Sequence, residues 1–448
     1  MPRHSLVLRS WLLCTVLVCA VQPLAAQDAA QQVPSDGPTI ELPPEMAAPP
    51  PEPASVNTGP SVSLGVPSND DTIERGLMPQ RMAQSNTVIG GYGQFTLNAV
   101  LPGNADEFNT RANVRRLVLF VAHPITDDIR VYTEFEWENA LACNGCNGSA
   151  EIEQAFVQWR LAGDAFMLRT GLVLVPMGIV NQWHEPPVFH GVDRPAVDQF
   201  IIPSTWRELG AGFAGTIAEM FRYELYLTTT LDPLRLSENG LGGSRSLGSL
   251  AQARAFAISG RAEVEPVLGV IAGASFFFSD LGANGTYYRS TGKERDLRLP
   301  LLGYALDARM RRWGFEARAV WAQFFFPNAG DLLAAYKQDG SPLFIREASI
   351  GTVPERIQGG YVEVAYNVFH PFQLSHELLA FVRLETYDTQ AAVPDGYKRN
   401  PALDIDELTA GLTYRPVTQL VFKTDFQLRD RRLGWDEFQY NLGFGYMF

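Results

Sequence analysis

The side chains best placed to do chemistry gather in one stretch, 176–206, which reads PMGIVNQWHEPPVFHGVDRPAVDQFIIPSTW. It carries His184, Glu185, His190, Asp193, Arg194 and Asp198. Such groups can hold a metal or set an electrostatic barrier to passing solutes. The spacing of His184 and His190 with Glu185 or Asp193 fits no helical ligand motif. No metal is expected there, which leaves the barrier.

Two other constellations point elsewhere. Cys143 and Cys146 form Cys-Asn-Gly-Cys. No second pair completes a zinc site, so the expectation is a small local disulfide in an oxidising compartment. A lipid hydrolase would need an activated serine. No Gly-x-Ser-x-Gly elbow occurs in the strand-like runs, and Ser259 and Ser275 have no histidine beside them on a neighbouring run. Neither a catalytic residue nor a cofactor is expected.

The elements that must position these residues are strands. From 87 onward, runs of apolar and polar alternation recur at 88–100, 112–122, 128–139, 151–161, 165–175, 207–217, 221–231, 252–264, 267–278, 298–310, 314–325, 356–369, 376–388, 404–414, 418–429 and 436–448, 16 in all. The breaks between them alternate between long and short. Short turns on one side and long loops on the other are the asymmetry of an outer-membrane barrel. A soluble sandwich gives no reason for it.

Face assignment follows from the period of two. In Ile129–Trp137, Ile129, Val131, Thr133, Phe135 and Trp137 face out, and Arg130, Tyr132, Glu134 and Glu136 face in. In the last run, Phe438, Tyr440, Leu442, Phe444, Tyr446 and Phe448 share one face, against Gln439, Asn441, Gly443 and Gly445 on the other. A basic charge on the lipid face costs about 2–4 kcal/mol at mid-bilayer, so the alternation is enforced. Parity thus turns Arg130, Arg169, Arg222, Arg261, Arg309, Arg318, Arg383 and Lys423 inward, with Glu134, Glu136, Glu224, Glu263, Asp307, Glu316, Glu363, Glu385 and Asp425 opposing them. Adjacent Arg115 and Arg116 break the rule, so one of them belongs near an interface or off the register.

The chain has 448 residues, is 46% hydrophobic and carries a formal charge of −13. An acidic chain without a basic stripe excludes nucleic acid as a partner. Residues 1–26 read as a secretory signal, with Arg3 and Arg9 before the apolar run Trp11–Val21 and small residues at Ala25 and Ala26. Residues 27–86 are rich in Pro, Ala, Glu and Ser and are expected to form an extended, disordered periplasmic linker. Residues 87–448 are expected to form the barrel.

GGYGQFTLNAV at 90–100, RANVRRLVLFVAH at 111–123, VYTEFEWENA at 131–140 and RTGLVLVPMGIVNQW at 169–183 resemble the phosphate-selective porin O/P family. The resemblance implies a 16-stranded homotrimeric porin that passes small anions or other small solutes. The phosphate-selective members line the pore with an arginine ladder and a lysine cluster. Here lysine is scarce and carboxylates abound on the inferred inner wall. The aromatic ending at Phe448 is similar to the signature read by the barrel-assembly machinery. The expectation is therefore an all-β transmembrane antiparallel barrel in outer-membrane lipid. Its 176–206 segment would fold inward as a constriction lined by His184, Glu185, His190, Asp193, Arg194 and Asp198. The alternative is a non-conducting barrel serving as a surface adhesin or structural protein.

Overall fold

The computed structural model describes residues 87–448 except 106, 142–146, 252, 254, 283–284, 289–293, 337–351 and 435. The signal, the Pro-rich segment, Cys143 and Cys146 lie outside the described residues.

The strands are β1 (Val88–Pro102), β2 (Asn109–Pro124), β3 (Ile129–Glu138), β4 (Ala150–Arg160), β5 (Met167–Leu174), β6 (Arg207–Ile217), β7 (Phe221–Thr228), β8 (Ala257–Val267), β9 (Val270–Asp280), β10 (Gly285–Tyr288), β11 (Glu294–Leu297), β12 (Pro300–Arg312), β13 (Phe315–Phe325), β14 (Arg356–Asn367), β15 (Glu377–Ala392), β16 (Asp404–Val417), β17 (Leu420–Arg431) and β18 (Glu437–Met447). Sixteen of them close an antiparallel barrel, in which each pairs with its neighbour in sequence and β1 pairs with β18. The remaining two, β10 and β11, make a separate hairpin. This hairpin lies in the expected break 279–297. A helix, α1 (Ala329–Tyr336), lies in the break 326–355. Neither was expected, because short elements set into a loop carry too few residues to show a period. The eighth run begins at Ala257 rather than 252.

Closure leaves no unpaired edge, as a spanning sheet requires. Gly91 and Phe448 seal the seam with two backbone hydrogen bonds, 3.1 and 2.9 Å. The outward face is apolar: Phe213, Leu227, Phe278, Leu306, Val362 and Leu384 are among many large hydrophobics exposed on it. So continuous a belt exceeds what a soluble monomer leaves bare and matches a lipid-facing surface. Among the described residues no helix is long and apolar enough to cross a membrane. Of the residues that parity turns inward, Arg130, Glu134, Arg261, Arg309, Arg318, Arg383, Lys423 and Asp425 are buried.

Two bulges re-aim side chains. Gln94 pairs with Arg116 and Phe95 with Val114, so Arg115 is the extra residue in β2. That resolves the adjacent arginines: Arg116 points inward and Arg115 occupies the irregularity. On β4, Glu134 pairs with Gln154 and Phe135 with Ile152, so Glu153 is extra. A bulge bends its strand and leaves one residue out of the alternation. Glu153 and Gln154 both end up facing the lumen side, Glu153 fully buried.

The long connections pack at one mouth. Val175, Ile201, Ile202 and Trp206 join Leu236, Leu241, Leu299, Leu332 and the upper inner wall, including Phe277 and Phe324, in one apolar cluster. The cluster fills the mouth on the β9–β15 side.

Candidate functional site

The segment 175–206 is closed at its base before it enters the lumen. Val175 N–H donates to the Trp206 carbonyl (2.8 Å). Asn181 ties both ends, donating to the Val175 carbonyl (2.6 Å) and accepting from Trp206 N–H (2.6 Å). Trp206 is fully buried, its ring 4.5 Å from that of Phe277 and 6.2 Å from that of Phe324. The segment is not without internal order: Pro186–Val188 form a 3₁₀ turn and Val197–Ile201 a π turn.

From that base the loop crosses to the opposite wall. His190 sits between Glu316 and Glu363, 2.7 Å from each. Its carbonyl accepts from Thr413 (2.6 Å). Lys423 Nζ donates to the carbonyls of Phe189 (2.5 Å) and Gly191 (2.9 Å), and lies 3.8 Å from the Phe189 ring centre. Arg415 donates to the Pro187 carbonyl (3.2 Å) and to Glu316 (2.9 Å). Val192 N–H donates to Asp425 (2.5 Å). The inward glycines of β18 permit this approach, since a methyl added to Gly445 would lie 2.3 Å from Pro186 Cβ and one on Gly443 2.9 Å from Val192 Cγ1. The small parity of the last strand is thus a seat for the loop.

The six loop residues singled out from the sequence are placed as follows. His184 lies on the β4 side, its Nε2 3.4 Å from Glu153, and the loop residue Glu185 is buried beside it. His190 is clamped as described. Asp193 accepts from Asn98 (3.2 Å) and Gln439 (3.1 Å). Arg194 donates to the His184 carbonyl (3.1 Å), and burial, then the nearby Arg116, lower its guanidinium to about 10, still cationic at neutral pH. Asp198 is buried in the π turn, and that burial pushes its carboxyl up to about 7. All six are embraced by the wall of β1, β4 and β13–β18 or by the loop itself. None of the six lines the open space between the loop and the β3–β8 wall.

That space lies on the other side. A cavity of about 970 Å³, its open mouth included, runs between Gln182 and Trp183 of the loop and the wall of β3–β8. Arg169, Arg222, Arg261, Glu224 and Glu263 line it, with Tyr132, Phe156 and Tyr226. Arg169 donates to Glu224 (3.2 Å), Tyr226 (3.0 Å) and Gln158 (2.9 Å). Glu263 gathers three guanidiniums: Arg222 at 3.0 Å, Arg261 at 2.6 Å and Arg309 at 2.5 Å. Arg261 also meets Asp307 (2.6 Å). Arg309 lies 4.1 Å from the Trp183 ring centre, so it reaches the loop as well. Of the other expected wall residues, Arg383 pairs with Glu363 (3.1 Å) and with Glu385, Arg318 lies 4.0 Å from Glu316, and Arg130 is buried near the turn that follows β2.

Parity missed Arg116, Glu153, Glu407 and Arg415 as inward charges. For the first two, the bulges hid them. Arg415 lies past the expected strand end at 414, and Glu407 lies on the same strand, for which no faces were expected. Ser275 is engaged by Arg261 (2.8 Å) rather than by a base.

No protein-family model matches the chain. An uncharacterized protein of Aquifex aeolicus (strain VF5) is 28% identical over 371 residues, 80% of this chain and 79% of its own length. Among solved structures, Pseudomonas putida OprB aligns with a TM-score of 0.52 at 9% identity, covering 81% of this chain and 94% of that one. An anion-selective porin from Comamonas acidovorans aligns at 0.50 and 12%, covering 82% and 100%. The outer membrane channel DcaP of Acinetobacter baumannii gives 0.50 and 12%, covering 82% and 98%. At these identities the likeness is one of fold: a 16-stranded barrel of the bacterial outer membrane, porin-like in its architecture.

Proposed function

We propose that the protein is an outer-membrane porin with an off-centre passage for passive diffusion of small hydrophilic solutes and ions. The observation that carries this reading is the cavity between Trp183 and the β3–β8 wall, walled by paired charges and aromatic rings. Three arginines against two glutamates there give a mild preference for anions, inorganic phosphate among them. The anion-selective neighbour fits that preference. His184, Glu185, His190, Asp193, Arg194 and Asp198 then act by bracing the constriction, while Gln182 and Trp183 face the solute. The barrel works as a homotrimer in lipid.

A second reading, a non-conducting scaffold or adhesin, is favoured by the deep burial of the loop. Planar-bilayer recording separates the two. A porin conducts, and Trp183→Ala, which trims the loop where it meets the cavity, raises its unitary conductance. A scaffold passes no current in either form. Reversal potentials in chloride and phosphate gradients then read the selectivity.

A further inference from the structure

We propose that Glu134, Glu153 and His184 form a site for one divalent first-row transition cation, zinc among them, which pins the start of the loop to the barrel wall. One donor atom from each lies within 4.8 Å of the other two, and all three residues are buried. They come from three elements: β3, the bulge of β4, and the loop. No sequence spacing could have shown them together.

Three observations point to a ligand rather than a stray acidic cluster. Glu153 is the extra residue of the β4 bulge, fully buried, so the strand departs from regular pairing to place one more carboxylate beside Glu134. Its Oε1 and the Nε2 of His184 have no hydrogen-bond partner. Third, His184 Nδ1 lies 3.4 Å from the Asn181 carbonyl, which can only accept, so Nδ1 carries the proton of the neutral ring. Nε2 then aims a lone pair at Glu153 Oε2, 3.4 Å away. A backbone carbonyl fixing the far nitrogen is the usual way a metal-bound histidine is oriented.

The 3.4 Å between His184 Nε2 and Glu153 Oε2 suits a small tetrahedral ion. Ligands about 2.0–2.1 Å from a tetrahedral centre stand about 3.3 Å apart. One imidazole with two carboxylates favours zinc or its neighbours over magnesium or calcium, which take oxygen alone. The nearby cations bond elsewhere, Arg116 to Glu136 (3.6 Å) and Arg194 to the His184 carbonyl, and act on Glu153 only through space. Entry runs past Gln154, which borders the cavity and donates to Glu134 (2.6 Å). Binding forms two oxygen–metal bonds and one nitrogen–metal bond, with no change of oxidation state.

The test uses the purified full chain in detergent, loaded with zinc chloride and dialysed, with bound zinc counted by mass spectrometry. One zinc per chain is expected, weakened at least about tenfold in Glu153→Gln and His184→Asn, and retained in His190→Asn, which removes a different buried imidazole. Cobalt should give the visible band of a tetrahedral site in the native chain and in His190→Asn only. Heat-modifiable mobility on gels certifies each variant as folded, and Glu134→Gln replaces any that is not. Zinc absent from the native chain, or held equally by Glu153→Gln and His184→Asn, overturns the site and leaves an imidazolium–carboxylate pair. The readout needs no current, so it stands or falls apart from solute passage.

Discussion

Replacing Glu263 by glutamine removes the carboxylate that Arg222, Arg261 and Arg309 share, while keeping its shape. Arg261 keeps its pairing with Asp307, and the local charge rises by one beside the passage. In water an ion about 4 Å from a unit charge feels about 1 kcal/mol. Losing that charge favours an anion and disfavours a cation by the same amount, so their ratio changes by about 2 kcal/mol before screening. With a Debye length of about 8 Å at 0.15 M salt, roughly six-tenths survives, an increase of about eightfold in the anion-to-cation permeability ratio. At 1 M, where the Debye length is about 3 Å, the increase shrinks to roughly twofold. Reversal potentials across a planar bilayer in a potassium chloride gradient measure the ratio at both salts. Arg222→Gln serves as the control of opposite sign. Removing one member of a buried ion cluster costs about 3–5 kcal/mol, so a thermal melt accompanies the currents. A ratio that stays fixed in a folded Glu263→Gln channel, or moves toward cations, refutes the assignment of the passage to the β3–β8 wall.

Three further outcomes follow from the same geometry. Trp206→Ala, which empties a fully buried site between Phe277 and Phe324, should loosen the loop by about 3–5 kcal/mol; limited proteolysis should cut within 176–206 while the barrel keeps its resistance to detergent. Asp198 gives a pH dependence: burial, with Glu385 and Asp307, holds its carboxyl at about 7 against the opposing Tyr361 and Arg383. The folded state therefore keeps a proton that the unfolded state has lost at an ordinary value of 3.8, so stability falls as pH rises from there to about 7 and then levels; melting curves of Asp198→Asn should lack that component. Deleting Arg115 leaves Asn113 opposite Thr96, Val114 opposite Phe95 and Arg116 opposite Gln94; the barrel should still assemble, as heat-modifiable mobility would report, whereas deleting Val118, in regular pairing, should not be tolerated.

How much of this was legible in advance depended on repetition. The alternation in Ile129–Trp137 and in Phe438–Phe448 is imposed by lipid on one side and water on the other, so it marks both strands and faces. All sixteen barrel strands lie within the runs read from the sequence or overlap them. The loop was visible as a long interruption rich in proline and aromatics. What stayed hidden arose where a single residue departed from the period. Arg115 shows in the sequence only as a conflict with Arg116, and Glu153 leaves no mark, because a bulge has no composition of its own. The course of the loop was equally closed to inspection. His190 meets Glu316 and Glu363 from strands more than a hundred residues away, and no local spacing encodes that meeting.

The seam between β1 and β18 bears on how the wall comes to exist. The earliest strand of the barrel has β2 on one flank and, on the other, a mate that is made last. Without that last pairing the sheet would keep two raw borders, along β1 and β17. Removing β18 would therefore not narrow the cylinder but unroll it into an open ribbon.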